Sequence, residues 1–431
     1  MSGPQQLTGA QLVCRVLREE GVDVVFGYPG GAIMPFYHAL PEYPELRHVL
    51  VRHEQAAAHA ADGYARASGR PGVCVATSGP GATNLVTGLA TAYMDNSPVV
   101  AITGQVPRAM MGRDAFQETD IVGITLPITK WSVLVEDLDD LADTLHEAFH
   151  VARSGRPGPV LVDIPKDLQN QRLAYEPRGR APSRGAPRAR GAPDIAAAAR
   201  LIESSQRPLL LAGHGVILGE AMGELRAFAE RTGIPVITTL LGISGFPEDH
   251  PLHLGMPGMH GEVHVNRAIQ QADLLVAVGM RFDDRVTGNT SGFARYAKII
   301  HLELDASEIG KNVPVDVPLL GDAKAILPEL AAAVTPRRRD EWMAEIMTQR
   351  RERAEHFRGG ITPEGILRAM HEVTDGRCNV VADVGQHQMW VAKLFPYRRP
   401  NQHFSSGGLG SMGFAVPAAM GIHLARPHEP V

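Results

Sequence analysis

One acid heads an alanine-rich stretch, "HEQAAAHAADGYARASGRPG" at 53–72. A carboxylate in that place can answer the positive end of a helix dipole, a gain of about 0.3–1 kcal/mol. It can also hold a proton and pass it on. Taken alone, Glu54 favours the dipole reading, because it falls in the first turn and Gly69 closes the helix. "SGPGATN" at 78–84 leads from a strand into a helix. Its glycines let backbone approach a ligand closely. It is neither G-x-G-x-x-G nor a P-loop, so alone it reads as a tight strand-to-helix turn. Lys166 alone reads as a solvated surface charge and Met412 as a core methionine. "RFDDR" at 281–285 reads as a charged turn with internal ion pairs.

These groups need elements to hold them. Residues 8–20 predict an amphipathic helix capped by Thr8, with Leu12, Val13, Val16 and Leu17 as its stripe and Gly21 as its end. "VDVVFGYPGG", "GVCVAT", "SPVVAITG" and "GPVLVDIPKD" read as strands, separated by helical stretches such as "LVTGLATAYMDN". That alternation predicts βαβ units and an α/β fold with a parallel sheet covered on both faces. A second α/β domain starts near Asp194, with "RPLLLAGHG", "IPVITTL", "ADLLVAVG" and "AKIIHLELD" as strands. "CNVVADVG" and the helix-forming "SSGGLGSMGFAVPAAMGIHLA" make one further βα unit. Such a unit is too small for a core of its own, so we expect an incomplete third domain. The expected boundaries are 1–170, a linker over 171–193, 194–335, a charged linker helix over 336–360, and 361–431. Four prolines and six arginines against one acid make 171–193 a solvated linker. Glycine turns at the C-terminal ends of parallel strands are where α/β sheets bind ligands.

A chain of 431 residues accommodates about three domains. With 44% hydrophobic and 21% charged residues it has the composition of a soluble globular protein. A formal net charge of -5 and no long basic face argue against a nucleic-acid partner. No run of about 18 apolar residues predicts a membrane span. "MSGPQQLTGAQ" is polar and lacks the features of a signal peptide. Cys14, Cys74 and Cys378 form no C-x-x-C pair, and we expect reduced, buried thiols of a cytoplasmic protein.

The motifs in combination are more specific than any one of them. "YPGG" at 28–31, the Glu54 stretch, "SGPGATN", "GQV" at 104–106 and "DAFQE" at 114–118 occur in order. "IPKD" at 164–167, "GMRFDDRVTGN" at 279–289, "DVGQHQMW" at 383–390 and "GGLGSMGFAVPAA" at 407–419 follow. Over nearly the whole chain this resembles the acetolactate synthase (acetohydroxyacid synthase) large subunit, a thiamine diphosphate enzyme of three-domain α/β architecture. The resemblance implies that pyruvate is decarboxylated on thiamine diphosphate. The hydroxyethyl carbanion then condenses with a second 2-keto acid, pyruvate or 2-ketobutyrate, in branched-chain amino acid biosynthesis. It implies that Glu54 bonds the cofactor's pyrimidine ring and relays a proton through it.

The resemblance carries further roles. Tyr28, Gly31 and the catalytic Gln105 would line the reaction centre. Gln386 and His387 would meet the diphosphate, while Gly408 and Met412 would hold the pyrimidine and the bent cofactor. Phe116, Gln117 and Lys166 would form the substrate entrance across a subunit interface, which implies a homodimer or homotetramer. A small regulatory subunit is a further implied partner. The middle domain resembles the family's FAD domain. Its implied contacts begin with Gly213, His214 and Gly215, then Thr238 and Leu240, then Met256 and His260. Gly279, Arg281, Asp283, Arg285, Asp305 and Asp322 complete that set, joined by Arg153 from the first domain.

In the family, Mg2+ bridges protein and diphosphate through a glycine-aspartate-glycine motif and a later asparagine. Residues 1–431 contain no counterpart, so no metal ligand is assigned. We expect this chain alone to bind thiamine diphosphate weakly and to turn over little. Two alternatives stay open: a non-catalytic binding or regulatory chain, and another thiamine diphosphate decarboxylase or carboligase. Glu54 argues against glyoxylate carboligase, and the "RFDDR" loop argues against the flavin-free catabolic enzymes.

Overall fold

The computed structural model describes residues 5–177, 193–352 and 361–431. Strands and helices alternate along them, as the sequence pattern predicts. Among the described residues two compact units form. One runs to residue 177 and takes in 406–429 and 431; the other runs from 193 to 405 and takes in 430.

In the first unit the strands are β1 (Gln5–Thr8), β2 (Val24–Gly27), β3 (Arg47–Leu50), β4 (Gly72–Ala76), β5 (Val99–Gln105), β6 (Trp131–Leu134), β7 (Val160–Pro165) and β8 (Arg172–Tyr175). Six of them form one parallel sheet in the order β3-β2-β4-β5-β7-β6. Its central strands are near-continuous apolar runs because both faces are covered. Val73, Val75, Val100 and Ile102 enter the core on one face, while Cys74, Ala76, Val99 and Ala101 enter the core on the other. β1 and β8 pair antiparallel. Residues 172–175, read from sequence as the start of a linker, are therefore a strand; 178–192 lie outside the described residues.

The Gly9–Glu19 helix starts as its sequence predicts. Thr8 Oγ1 accepts from the Gln11 amide, and the Gln11 side chain accepts from the Thr8 amide. The Glu54 helix spans Glu54–Ser68 and ends at Gly69, whose φ of 70° is left-handed. Its alanines have a packing cause. A Cβ on Gly63 would run into the Ala418 carbonyl, and one on Gly421 into the Ala60 carbonyl. Small residues thus let the Ala415–Ala425 helix lie against it.

In the second unit the strands are β9 (Pro208–Ala212), β10 (Val236–Thr238), β11 (His253–Gly255), β12 (Leu274–Val278), β13 (Lys298–Glu303), β14 (Val317–Leu320), β15 (Val380–Ala382) and β16 (His403–Ser405). The larger sheet is parallel throughout, in the order β11-β10-β9-β12-β13-β14. β15 and β16 form a separate parallel pair. The region expected to be a charged linker helix contains a helix at Asp340–Glu352 that is part of this core. Trp342 and Ile346 are buried, and Trp342 Nε1 donates to the Pro208 carbonyl at 3.1 Å. Residues 361–405 add a small cluster around Leu367, Val380, Phe395 and Tyr397.

All three cysteines are free and buried. Burial pushes the Cys14 and Cys74 thiols up to about 12. Among the described residues no helix is long and apolar enough to cross a membrane.

Candidate active site

Adjacent strands of the first sheet end side by side, and their following residues carry the motifs. Tyr28 follows β2, Thr77 follows β4, Gln105 ends β5 and Lys166 follows β7. Glu54 opens the helix after β3 on the same edge. Its carboxylate is buried, at 8% exposure. The Asn84 side-chain amide donates to Glu54 Oε2 at 2.9 Å. The "SGPGATN" turn is thus more than a connection. It holds the acid with its last residue, while its short helix Pro80–Thr83 starts at Gly79, with φ 58°. A Cβ on Gly81 would lie 3.2 Å from Glu54 Oε1 and 2.7 Å from Thr77 Cγ2. One on Gly30 would lie 2.5 Å from Thr77 Cβ. Two glycine loops therefore pack closely at Thr77, with the Gly81 backbone against Glu54 Oε1. A buried carboxylate of this kind can hydrogen-bond a basic ring nitrogen such as that of a pyrimidine.

Gln105 is held more tightly than its assigned role required. Its Nε2 donates to the Thr119 carbonyl at 2.8 Å and to Asp163 Oδ2 at 2.9 Å. Its Oε1 accepts from the Val106 amide at 2.9 Å. Both amide protons are committed, and one lone pair of Oε1 is left for a ligand. Asp163 also accepts from Thr103 Oγ1 at 2.7 Å. Burial is the main cause that pushes its carboxyl up to about 6, with these two hydrogen bonds pulling the other way. Sequence reasoning missed Asp163 and Asn84. An acid inside the apolar run "VLVDIP" was the available signal for Asp163.

The residues expected at the substrate entrance lie in the first unit. Phe116 is 86% exposed. Gln117 has φ 61°, and a Cβ on Gly79 would meet its carbonyl at 2.8 Å. Lys166 begins a short helix next to Asp167, which pairs with Arg108 at 2.8 Å. Gly31 faces open space. Gly408 and Met412 also belong to this unit. Met412 is 78% exposed, and Asp95 accepts from the Gly408 amide at 2.7 Å.

Gln386 and His387, in the second unit, are exposed at the start of the Gln386–Leu394 helix, whose cap Gly385 has φ 152°. A helix start of that kind presents unpaired amides to an anion.

Most of the residues expected to contact a flavin lie on the C-terminal edge of the second sheet. Gly213 follows β9, Thr238 ends β10, Gly279 follows β12, and Asp305 and Asp322 follow β13 and β14. A Cβ on Gly215 would lie 2.6 Å from the Gly279 Cα, so these glycines serve close backbone packing first. His214 lies in the short helix after β9. Thr238 Oγ1 lies 3.2 Å from His253 Nε2. Leu240 packs on the small cluster that buries Met256, and His260 is exposed. Asp283, Asp305 and Asp322 each cap a helix by accepting backbone amides. Arg285 pairs with Asp284 at 2.6 Å and Arg281 with Asp283 at 3.8 Å. Arg153 stands in the first unit, where it donates to Glu20 at 2.9 Å.

Three family models match in order: the thiamine pyrophosphate enzyme N-terminal TPP binding domain at 7–124, its central domain at 195–330, and its C-terminal TPP binding domain at 383–431. The chain is 52% identical over 435 residues to an "Acetolactate synthase" of Mycobacterium bovis, covering 98% of this chain and 70% of the relative. The chain belongs to the acetolactate synthase large-subunit family. It is 47% identical to the "Acetolactate synthase large subunit" of Corynebacterium glutamicum, over 100% of this chain and 70% of that one. It is also 47% identical to the "Probable acetolactate synthase large subunit" of Methanocaldococcus jannaschii, over 99% and 75%. These acetolactate synthase relatives do not favour the non-catalytic chain or another decarboxylase. The C-terminal model begins after β15, and its match passes from the second packing unit into the first at 405–406.

Proposed function

We propose that this chain is the catalytic large subunit of an acetolactate synthase. It takes pyruvate, releases CO2, and joins the two-carbon unit to a second 2-keto acid. Pyruvate as acceptor gives 2-acetolactate, and 2-ketobutyrate gives 2-aceto-2-hydroxybutyrate. The supporting observation is the buried Glu54 carboxylate, held by the Asn84 amide and approached closely by the backbone at Gly81. Thiamine diphosphate, when bound, supplies the electron sink for the carbon that loses CO2. Glu54 holds a proton at the pyrimidine nitrogen, and Asn84 keeps the carboxylate turned toward it. Gln105 presents its remaining Oε1 lone pair to the reaction centre, with Asp163 fixing the amide's orientation. Gln386 and His387 meet the diphosphate at a helix start.

Further readings go with this one. FAD would lie along the second sheet's edge, where Arg281 offsets pyrophosphate charge, and its role would be structural. Mg2+ is carried over from the resemblance. Among the described residues no group of three or more His, Cys, Asp or Glu is placed to hold a metal, so no step is derived through it. A homodimer or homotetramer would cover apolar side chains such as Phe116 and Met412, and a small regulatory subunit would join it. The buried thiols suit the cytoplasm.

The test is acetolactate formation from pyruvate with thiamine diphosphate, Mg2+ and FAD supplied. We expect slow turnover that falls at least a hundredfold in Glu54→Gln, the scale of a lost proton relay. A protein that binds the cofactor yet releases no CO2 from pyruvate overturns the reading. For the flavin, protein that stays colourless after addition of FAD removes that assignment.

A further inference from the structure

The loop that follows β16 is tied to the first unit by a buried charge cluster that the proposed chemistry does not use. Asp95 ends the Val86–Asp95 helix and is fully buried. Its Oδ2 accepts from the Gly407 amide at 3.0 Å and its Oδ1 from the Gly408 amide at 2.7 Å. Arg66 Nη2 reaches the same carboxylate at 3.0 Å. The Arg66 guanidinium also clamps Asp62 through two hydrogen bonds of 2.6 and 2.9 Å and lies over the Phe414 ring, 5.2 Å from its centroid. Two further bonds pin the loop: Ser411 Oγ lies 2.7 Å from Thr91 Oγ1, and the Ser411 amide donates to Ser406 Oγ at 2.9 Å. A Cβ on Gly408 would meet Met94 Cβ at 2.7 Å and Asp95 Oδ1 at 2.9 Å. Glycine is therefore required for the carboxylate to reach both amides. Leu409 and Met412, in contrast, point outward at 45% and 78% exposure.

We propose that Asp95 is a positioning residue for the cofactor: by gripping two consecutive amides it fixes where the Gly408 backbone and the Met412 side chain are presented. This rests on the reading of Gly408 and Met412 as cofactor contacts. A carboxylate accepting two amides is the strong, directional form of hydrogen bond, and burial removes water as a competitor. Asp62 shares the arginine but touches neither glycine, so the two acids separate positioning from simple charge balance.

The experiment compares Asp95→Asn with Asp62→Asn in the full chain. Each leaves Arg66 facing one carboxylate, so both variants change the cluster's formal charge by the same amount. Two quantities are read: hydrogen exchange of the peptide spanning 407–412, and the dissociation constant for thiamine diphosphate with Mg2+ by equilibrium titration. Asp95→Asn should speed exchange at least tenfold and weaken cofactor binding at least tenfold. Asp62→Asn should change both by less than threefold. Unchanged exchange in Asp95→Asn overturns the proposal, and so does an equal loss of binding in Asp62→Asn, which marks a structural network only. Faster exchange with unaltered cofactor affinity removes Gly408 as a cofactor contact and the proposal with it, leaving the hydrogen bonds in place. Should neither variant fold, the wild-type chain still decides, because Gly407 and Gly408 amides exchanging at the free-peptide rate refute the grip.

Discussion

Replacing Asp163 by asparagine separates stability from function in a way the geometry makes quantitative. The folded carboxyl is pushed up to about 6, against an ordinary 3.8. Between those values the folded chain keeps a proton that the unfolded chain has released. Stability is therefore full below about pH 3.8 and falls as pH rises to about 6. A shift of about two units corresponds to about 3 kcal/mol. Asparagine has nothing to titrate, so the stability difference should move in the variant's favour by up to about 3 kcal/mol between pH 4 and 7. Against this stands a lost acceptor. An amide offers one oxygen where Thr103 and Gln105 both donate, a cost of about 1–3 kcal/mol. We expect Asp163→Asn to be less stable than wild type at pH 4 and equal or more stable at pH 7. The Gln105 amide loses the Asp163 oxygen it donates to, so kcat/KM should fall about tenfold, about 1.4 kcal/mol. Hydrogen exchange of the β5 and β7 peptides across urea, at pH 4 to 7, measures the first effect. Initial rates with pyruvate measure the second. A stability difference that does not change with pH, or an activity that simply follows stability, refutes the reasoning.

Other expectations follow from single contacts. Gly63→Ala drives a methyl group into the Ala418 carbonyl and should lower stability by about 1–3 kcal/mol, read as a drop in melting temperature. Burial pushes the Glu248 carboxyl up to about 8, well above its usual range, with the Tyr397 amide opposing and Asp249 adding to the shift. Its folded form thus holds a proton longer than the unfolded chain, and stability falls as pH climbs from about 4.5 to 8. Glu248→Gln should raise the melting temperature more at pH 8 than at pH 5. Native protein at pH 8 should leave Cys14 and Cys74 unlabelled by a thiol reagent over minutes, and urea should expose them. Asn84→Ala removes the amide that donates to Glu54 and should reduce kcat several-fold with little change in melting temperature, measured as acetolactate formed.

Much was legible in the chain because it is local. In the two large sheets the strands found from sequence, β2, β4, β5, β7, β9, β10, β12 and β13, are all interior and read as apolar runs. Those not recognised in the two large sheets, β3, β6, β11 and β14, are their four outer strands. An outer strand is half solvated, so "RHVL" and "WSVL" carry no continuous apolar signal. The Thr8 cap, the Gly69 end and the position of Glu54 at a helix head follow equally from neighbouring residues.

Local sequence determined the order of elements, the acid at its helix start and the glycine turns at strand ends, since each depends on propensities and periodicities within a few residues. Only the tertiary structure decided what those groups touch. Glu54 meets Asn84 thirty residues away. Gln105 meets Asp163 fifty-eight away, and Asp95 meets Gly408 three hundred and thirteen away. It also divided 361–431 between two packing units, because a single βα unit buries too little apolar surface to stand alone and must borrow a neighbour's core.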